Sequence, residues 1–310
     1  MCGVARGAEY TANQYDAIVT AGHHMFFNRA ISQNGTTSCA DCHNPAKGLS
    51  DDIPLGIGRI GDTVNGRFFP NGIKGNKKTP HLFNIGYMPN DWIDKDDRNG
   101  EPFMFYDGRR RGLIDQCSGP IENPDEMGNQ QTEDVAARLT NQGTYAQIMQ
   151  RAFGERRVTK NRILICIAAF EKEKLNATDT QATRFLTGEE DLTLSASAKR
   201  GGELFKVNCA VCHPAPLFTT GKFANTGLEW GYGARGNNGI PIEIGAERTT
   251  KDINHRRAIR VSSLVGASLR KPYGHLGNMP TVEHMVQHYA NHAEVAGRGQ
   301  DPRLSPLVKR

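Results

Sequence analysis

Apolar residues recur at the spacing of an amphipathic helix in three parts of the chain. Two of these parts lie in the middle, at residues 133–149 and 160–173, where apolar positions repeat every three or four residues. A third begins near Thr281, which can cap a helix, and its apolar face is formed by Val282, Met285, Val286 and Tyr289. The alternating pattern of a β-strand is weak throughout. The sequence therefore predicts an all-α fold class.

Long stretches between these helices are rich in glycine, proline and asparagine, most densely at residues 48–102. The chain contains 34 glycines and 15 prolines in 310 residues, which is typical of a protein with extensive loops. A structureless loop of such length argues against a compact domain unless something orders it. We therefore expect ordered loops that pack around a bound cofactor.

Two C-x-x-C-H motifs carry the clearest chemistry in the sequence: Cys39-Ala-Asp-Cys42-His43 and Cys209-Ala-Val-Cys212-His213. Two thiols one helical turn apart can each form a thioether to a haem vinyl group, and the adjacent histidine supplies an axial nitrogen. A structural zinc ion needs four ligands, and each motif offers only three. The sequence thus predicts two covalently bound haem c groups. Haem c is attached outside the cytoplasmic membrane, which predicts a periplasmic location although no signal peptide is visible.

The two motifs divide the chain into two predicted domains, each built like a cytochrome c around one haem. The first comprises residues 1–164 and the second residues 165–294, and the tail 295–310 is a candidate to pack on the first domain. Residues 175–186 are expected to connect them. A helix-like stretch precedes each motif, at 21–28 and at 195–205, and Ser195 is the predicted N-cap of the second.

Composition and charge exclude several function classes. No apolar run approaches the length of a membrane span, and no basic cluster is interleaved with aromatic residues, so neither a membrane span nor nucleic acid binding is expected. The formal net charge of +5 is compatible with an acidic protein partner. Of the remaining cysteines, Cys166 is predicted to be a small buried hydrophobe, whereas the state of Cys2 and Cys117 stays open.

Several short sequence blocks surround the motifs in a fixed order. They are Phe26-Phe-Asn-Arg-Ala-Ile-Ser32, Phe105-Tyr-Asp-Gly-Arg109, Gln116-Cys-Ser-Gly-Pro120, Asn123-Pro-Asp-Glu-Met127, Ala168-Ala-Phe-Glu171, Phe223-Ala-Asn-Thr-Gly227 and Pro272-Tyr-Gly-His-Leu-Gly277. On these blocks the chain resembles the bacterial di-haem cytochrome c peroxidase family, which includes the methylamine-utilisation protein MauG. The resemblance implies an oxidoreductase in which hydrogen peroxide reacts at the first haem while the second stores or relays electrons.

The resemblance also implies catalytic roles for Glu126, Gln116 and Tyr106. Glu126 matches a glutamate over the open iron, where a carboxylate can move a proton between the peroxide oxygens. Gln116 matches a glutamine that orients the bound peroxide. Tyr106 replaces the tryptophan that the family places between its haems, and a tyrosine can also relay an electron. On the residues alone, the favoured interpretation is that Glu126 is an exposed charge in a loop and Gln116 a polar surface residue.

The axial ligands of the two haems are predicted to differ. Family members that need reductive activation carry a histidine after the first motif, but residues 44–78 contain no His, Met or Tyr, and His81 stands where a small or apolar residue is usual. We therefore expect a five-coordinate, high-spin first haem. For the second haem, Tyr289 occupies the position that is tyrosine in MauG and methionine in the peroxidases, and Met285 and His288 are rival ligands.

A calcium ion is a further family feature that this sequence puts in doubt. The family holds the ion with an asparagine side chain and two main-chain carbonyls. Lys78 stands at the asparagine position, and the carbonyl positions fall on Arg270 and Pro272. Because an ammonium group competes with a metal cation for the same space, we expect Lys78 to replace the calcium or the site to be empty.

Three functions are compatible with these observations. A MauG-like enzyme would oxidise a partner protein by long-range electron transfer, and the absent distal histidine together with Tyr289 favours this function. A peroxidase would reduce peroxide to water with electrons from a small redox protein. A non-catalytic di-haem electron carrier would need two six-coordinate irons. The sequence leaves open the substrate protein and the oligomeric state. The polar insertion 91–97, with Trp92 and Lys95, is a candidate partner-facing surface.

Overall fold

The computed structural model describes residues 10–64, 67–69, 71–72, 75–91, 93, 100–189, 193–228 and 245–290. Helices dominate the described residues, as the sequence predicts. They are α1 (Ala12–Phe27), α2 (Cys39–Cys42), α3 (Gly112–Glu122), α4 (Thr132–Thr140), α5 (Gly143–Phe153), α6 (Lys160–Lys174), α7 (Gln181–Thr187), α8 (Ala196–Asn208), α9 (Glu247–Thr250) and α10 (Val282–Ala290). Three antiparallel ladders of two short strands accompany them: β1 (Asp62–Val64) with β2 (Arg67–Phe69), β3 (Phe103–Met104) with β4 (Arg110–Arg111), and β5 (Phe223–Ala224) with β6 (Ile259–Arg260).

Helices α1 and α6 form the centre of the hydrophobic core in the unit that contains the first C-x-x-C-H motif. Thr11 and Gln14 cap the start of α1 reciprocally, so the first turn of the helix has partners for its exposed N–H groups. The two helices approach closely at Gly22, where an added Cβ would lie 1.9 Å from the Cys166 carbonyl oxygen. Beside this contact the rings of Phe26 and Phe170 pack at 5.2 Å. Cys166 is fully buried here, as expected of a small hydrophobic residue.

The helical periodicity at residues 133–149 comes from two helices, not one. The chain ends α4 at Thr140 and begins α5 at Gly143, and the intervening Asn141 and Gln142 form a turn. Asparagine and glycine favour turns because they tolerate non-helical backbone and bond to it locally. The apolar pattern continues across the break because both helices bury one face in the same core.

Two predicted helix starts are confirmed by hydrogen bonds. The Ser195 hydroxyl accepts a bond from the Ala198 amide at 3.1 Å, which caps α8. The Thr281 hydroxyl accepts a bond from the His284 amide at 3.4 Å, immediately before α10. Among the described residues, no helix is both long enough and apolar enough to cross a bilayer.

The chain folds into two compact units that differ from the predicted ranges. The first consists of Met1–Tyr87, Gly112–Asn176 and Ser268–Asn278, and the second of Met88–Arg111, Ala177–Ala267 and Met279–Arg310. Each unit contains one C-x-x-C-H motif. A boundary at residue 164 would cut α6, all of which belongs to the first unit, and the chain instead passes to the second unit within the expected connection 175–186. Cys2, the tail 295–310 and most of the insertion 91–97, including Trp92 and Lys95, lie outside the described residues.

Candidate functional site

The first motif forms a short helix of its own. Cys39 and Cys42 lie at the two ends of α2, one turn apart, and the His43 amide donates to the Cys39 carbonyl at 2.8 Å. The Asp41 carboxylate accepts hydrogen bonds from the amide and the hydroxyl of Ser38, both at 2.8 Å. These bonds fix the start of a helix that is too short to be stable alone. The two thiols and the imidazole therefore emerge from one ordered turn.

The second motif instead follows a long helix. Cys209 caps the C-terminus of α8, and the His213 amide donates to its carbonyl at 2.9 Å. Cys212 packs in an apolar cluster with Ala224 and Val261. The second pair of thiols is thus held by a thirteen-residue helix on one side and by the β5–β6 ladder on the other.

Both motif histidines are oriented by a main-chain carbonyl. Nδ1 of His43 lies 3.2 Å from the Leu49 oxygen, and Nδ1 of His213 lies 2.9 Å from the Phe218 oxygen. An Nδ1–H that donates to a carbonyl leaves Nε2 as the nitrogen that can bind a metal. Leu49 and Phe218 both have left-handed backbone, with φ of 57° and 53°. Sequence reasoning missed these two residues, because bulky side chains rarely adopt that conformation and give no signal of it.

The structure brings Glu126 to the first motif. Burial, with smaller contributions from the neighbouring carboxylates of Glu126 and Asp51, raises the pKa of the Cys42 thiol to about 12. The Glu126 carboxylate accepts a hydrogen bond from the side-chain amide of Asn123 at 2.7 Å. Gly58 permits this arrangement, since an added Cβ would lie 1.9 Å from the Asp125 carbonyl oxygen. A cavity of about 500 Å³ opens at the same place, with Cys42 and Gly58 in its wall.

Gln116 lies on α3, in the same unit. Its amide oxygen is buried and has no hydrogen-bond partner among the described residues. The turn that follows α3 carries Glu126 and is closed by a bond from the Met127 amide to the Pro120 carbonyl at 3.2 Å. One helix and the turn after it therefore supply both predicted distal residues.

Another carboxyl group near the first motif, that of Glu171, was not assigned a role from the sequence. Glu171 on α6 is 5% exposed, and its Oε2 has no hydrogen-bond partner among the described residues. Burial raises the pKa of Glu171 to about 8, and this carboxyl group in turn helps to raise the pKa of Cys39, chiefly raised by burial. The signal in the sequence was a charged residue directly after the apolar run at 163–170.

Lys78 is buried in an ion pair. Its ammonium contacts Asp51 Oδ1 at 2.6 Å, the Asp51 carbonyl oxygen at 2.7 Å and the Ile53 carbonyl oxygen at 3.2 Å. The Thr79 hydroxyl donates to the other Asp51 carboxylate oxygen. The oxygens around the ammonium thus come from Asp51 and Ile53, rather than from the predicted Arg270 and Pro272, because the loop after the first motif folds back over Lys78.

His81 lies on the same segment as Lys78. Burial lowers the pKa of His43, while hydrogen bonds to the carbonyls of Leu49 and Pro80 oppose the shift. The carbonyl of Pro80, which directly precedes His81, therefore contacts the imidazole of His43. His81 itself is buried. This contact places the segment beside His43.

The structure also brings Tyr289 to the second motif. Burial raises the pKa of the Tyr289 phenol, and the nearby Cys212 and Cys209 thiols raise it further. His288, one of its two rivals, has its Nε2 2.7 Å from the Thr226 carbonyl oxygen. Met285, the other rival, is half-buried one turn earlier on α10.

Tyr106 belongs to the second unit and neighbours a buried arginine. Its carbonyl accepts a hydrogen bond from the Arg260 amide at 2.8 Å. Burial lowers the pKa of Arg260 to about 10, and the Tyr106 phenol partly opposes that shift, so the two side chains are close. Arg260 was not singled out from the sequence.

The residues around both motifs fit a covalently bound haem. Each motif offers two thiols on one turn and an imidazole whose Nδ1 lies at hydrogen-bond distance from a main-chain carbonyl. Polar groups that no described residue satisfies, such as the Gln116 amide oxygen, indicate that a further group belongs in these sites. His43 and His213 would hold the two irons.

Comparisons with known proteins agree with these observations. The family model described as di-haem cytochrome c peroxidase matches residues 16–191. The methylamine utilization protein MauG of Methylorubrum extorquens is 29% identical over 294 residues, which cover 94% of this chain and 72% of that protein. The cytochrome c peroxidase of Escherichia coli is also 29% identical, over 276 residues that cover 87% of this chain and 52% of that protein.

Solved structures share the fold. A MauG-like protein associated with microbial copper homeostasis superposes with a TM-score of 0.69 at 21% identity, covering 94% of this chain and 81% of that one. The diheme peroxidase BthA of Burkholderia thailandensis gives a TM-score of 0.66 at 19% identity, covering 89% of this chain and 71% of that one. At such identities the likeness establishes the fold alone.

Proposed function

This chain belongs to the di-haem cytochrome c peroxidase family and is therefore a peroxide-dependent oxidoreductase, and from that membership we propose that it is of the MauG type. In this proposal peroxide reacts at the haem bound by Cys39, Cys42 and His43, and a partner protein is oxidised by long-range electron transfer. A haem iron with one open coordination position supplies the binding of peroxide and its reduction. The residues of this chain supply the orientation and the proton transfers.

The position of Glu126 is the observation that carries the proposal. Its carboxylate lies close to Cys42, and the Asn123 amide holds it at 2.7 Å. A carboxylate in that position can accept the proton of one peroxide oxygen and return it to the other, which assists cleavage of the bond between them. The buried amide oxygen of Gln116 can accept the remaining peroxide O–H.

The first iron is proposed to be five-coordinate at rest. Residues 44–78 offer no His, Met or Tyr as a sixth ligand. His81 follows Pro80, whose carbonyl contacts the His43 imidazole, so this segment lies beside the proximal ligand. These observations support an iron whose far side faces Glu126 and stays open to peroxide.

The second iron is proposed to bind Tyr289 opposite His213. The phenol lies beside the Cys209 and Cys212 thiols, whereas His288 bonds to a main-chain carbonyl. A phenolate ligand stabilises ferric iron and lowers its reduction potential, while a methionine raises it. This ligand favours the MauG type over a methionine-ligated peroxidase. Tyr106, in the same unit, is proposed to relay electrons.

The remaining assignments complete the proposal. Family membership implies two haem c groups, each proposed to sit in one cytochrome c-like unit. Lys78 is proposed to take the place of calcium, because its ammonium is already surrounded by three oxygen atoms. A periplasmic location is proposed from the chemistry of haem c attachment.

Electron paramagnetic resonance of the oxidised holoprotein tests the resting state. We expect one high-spin and one low-spin ferric signal, and peroxide added without any donor should consume the high-spin signal. Two low-spin signals that persist in peroxide would overturn the proposal and favour an electron carrier. In the Tyr289→Phe variant the low-spin signal should be lost, whereas Tyr87→Phe, at an exposed position, should retain it.

A cytochrome c peroxidase that takes electrons from a small redox protein is the second candidate. Relatives of both types match this chain at the same identity, 29%, and Tyr106 replaces the family's tryptophan. Steady-state turnover of peroxide with reduced cytochromes or cupredoxins as donors discriminates the two. Fast turnover with such donors supports the peroxidase, whereas slow turnover and persistence of the peroxide-oxidised protein support the MauG type.

A further inference from the structure

Arg59 is buried beside the turn 123–128, which carries Glu126. Its side chain is only 4% exposed. Its Nη2 donates to the Pro124 carbonyl oxygen at 2.7 Å, and its Nη1 donates to the side-chain oxygen of Gln33 at 2.6 Å. Its main-chain amide donates to the Glu126 carbonyl oxygen at 3.0 Å. One arginine therefore bonds to two residues of the turn and to the loop that precedes the first motif.

The turn 123–128 fits around this arginine at close range. Gly128 has a φ of 69°, and an added Cβ there would lie 2.2 Å from Cζ of Arg59. An added Cβ at Gly58 would lie 1.9 Å from the Asp125 carbonyl oxygen. Both glycines therefore leave the space that the turn and the arginine share, and the positive φ of Gly128 is one that a larger residue adopts at a cost.

The same contacts join the turn to the first motif. The Gln33 amide donates to the Met127 carbonyl oxygen at 2.8 Å. The Cys42 sulfur lies 3.5 Å from the carbonyl oxygen of Ile57, two residues before Arg59. The loops before and after the motif are thus both held against the turn, so the turn and the haem-binding thiol share one hydrogen-bonded framework.

The strength of this framework depends on the guanidinium. Hydrogen bonds from a charged donor are stronger than those between neutral groups, and a buried acceptor that loses its donor is left unsatisfied. Removal of the Arg59 side chain would leave the Pro124 carbonyl without this donor. A group that transfers a proton has to keep its position, because a displacement of about 1 Å can slow a reaction by about 10²-fold.

We propose that Arg59 is a positioning residue that fixes the Glu126 carboxylate over the first haem by clamping the turn 123–128. The inference rests on the reaction of peroxide at the first haem under Proposed function and extends it to the way the proton-transfer group is held. The side chain acts through the Pro124 carbonyl, two residues before Glu126, and the main chain acts through the Glu126 carbonyl itself.

Stopped-flow rates of the reaction of the holoprotein with peroxide, measured at the first haem in a double-mutant cycle, test this role. Arg59→Met should slow the reaction by about 10–100-fold, because the turn loses its clamp and the Glu126 carboxylate moves. In the Glu126→Gln background the same substitution should change the rate by less than about twofold, because no carboxylate remains to be misplaced. A residue with a merely structural role would slow both backgrounds alike.

The matched control is Arg162→Met. Arg162 is a partly buried arginine of the same unit, and it also bonds to a main-chain carbonyl, that of Arg157, at 2.8 Å. Its substitution should leave the rate unchanged. Equal rates in Arg59→Met and Arg162→Met would overturn the role of Arg59, as would equal losses with and without Glu126.

A milder variant decides if Arg59→Met does not incorporate both haems. Gln33→Ala removes the acceptor of Nη1 at an exposed position. It should give a smaller loss of rate that likewise disappears in the Glu126→Gln background. An unchanged rate in Gln33→Ala would then refute the clamp.

A crystal structure of the Arg59→Met holoprotein separates this inference from the proposed function. The Glu126 carboxylate should be displaced by about 1 Å or more relative to the first haem. An unchanged position refutes the role of Arg59 even if peroxide reacts as proposed. A displaced carboxylate, together with a wild-type protein that does not react with peroxide, supports the clamp and refutes the proposed function.

Discussion

The two C-x-x-C-H regions have the same covalent chemistry but different electrostatic surroundings. Four carboxyl groups lie near the first pair of thiols: Glu126 and Asp51 near Cys42, Glu171 near Cys39, and Asp41 near both. Around the second pair, the neighbours are the apolar Ala224 and Val261 and the phenol of Tyr289.

This difference is compatible with the proposal that the first haem is the one that requires proton transfer. Reduction of peroxide consumes protons and requires groups that can deliver them, and carboxyl groups of different pKa are suited to that task. Electron storage requires instead a dry and rigid site whose charge stays constant. The first region has carboxyl groups that can deliver protons, whereas the second is largely apolar. This agrees with the proposal that peroxide reacts at the first haem and that the second stores or relays electrons.

Removing the proton-transfer group should produce the largest effect. We expect Glu126→Gln to slow the reaction with peroxide by about 10²–10⁴-fold, because an amide cannot accept and return the proton. Stopped-flow spectroscopy of the first haem measures this rate. The control is Glu122→Gln, which removes a carboxylate that pairs with Lys160 at the end of α3, just before the turn that carries Glu126. Equal rates in the two variants would refute the role of Glu126.

Breaking the buried ion pair should destabilise the first region only. Lys78→Met leaves the Asp51 carboxylate buried without its cation, and we expect a loss of about 3–5 kcal/mol in unfolding free energy. Lys47→Met is the matched control, because its pair with Asp52 is exposed and is worth about 0–1 kcal/mol. Denaturant unfolding followed at each haem measures both.

Metal analysis of the wild-type protein tests whether Lys78 takes the place of calcium. We expect no tightly bound calcium, since the Lys78 ammonium already contacts three oxygens. One calcium ion per chain that survives dialysis against a chelator would contradict the proposed replacement.

Glu171 should give the first region a pH dependence that the second lacks. Its native pKa is raised to about 8 from an ordinary 4.5, so between these values the folded chain binds a proton that the unfolded chain has released. Unfolding free energy should therefore fall as pH rises, by about 1.4 kcal/mol per pH unit within that interval. Glu171→Gln should abolish this slope in denaturant titrations from pH 5 to 8, whereas Glu203→Gln, at an exposed position, should retain it.

The smallest expected effect is the loss of stability when a hydrogen bond is removed at the start of the helix that leads to each motif. Ser38→Ala removes one hydrogen bond to Asp41 at the start of α2, and Ser195→Ala removes the cap of α8. Each should cost about 1 kcal/mol of stability. Only Ser38→Ala should alter the spectrum of its haem, because α8 places thirteen residues between Ser195 and Cys209. Identical spectral changes in both variants would refute this distinction.

The sequence predicted features that depend on local spacing. The C-x-x-C-H turns, the caps at Ser195 and Thr281 and the helical class all follow from neighbouring residues. The family resemblance predicted roles for Glu126 and Tyr289, which lie near the first and the second motif. The sequence did not predict the Lys78–Asp51 pair, the raised pKa of Glu171 or the burial of Arg260. Each of these depends on which distant segments pack together, and no periodicity along the chain encodes that.

The main-chain carbonyls of Leu49 and Phe218 constrain how this protein can diverge. A side-chain acceptor beside an axial histidine can be deleted or ionised by one substitution, but a peptide oxygen is retained whatever residue occupies the position. If each imidazole binds an iron as proposed, its electron donation to that iron would be insulated from most mutations. Evolution of this chain can retune its irons chiefly from the opposite face or through neighbouring charges.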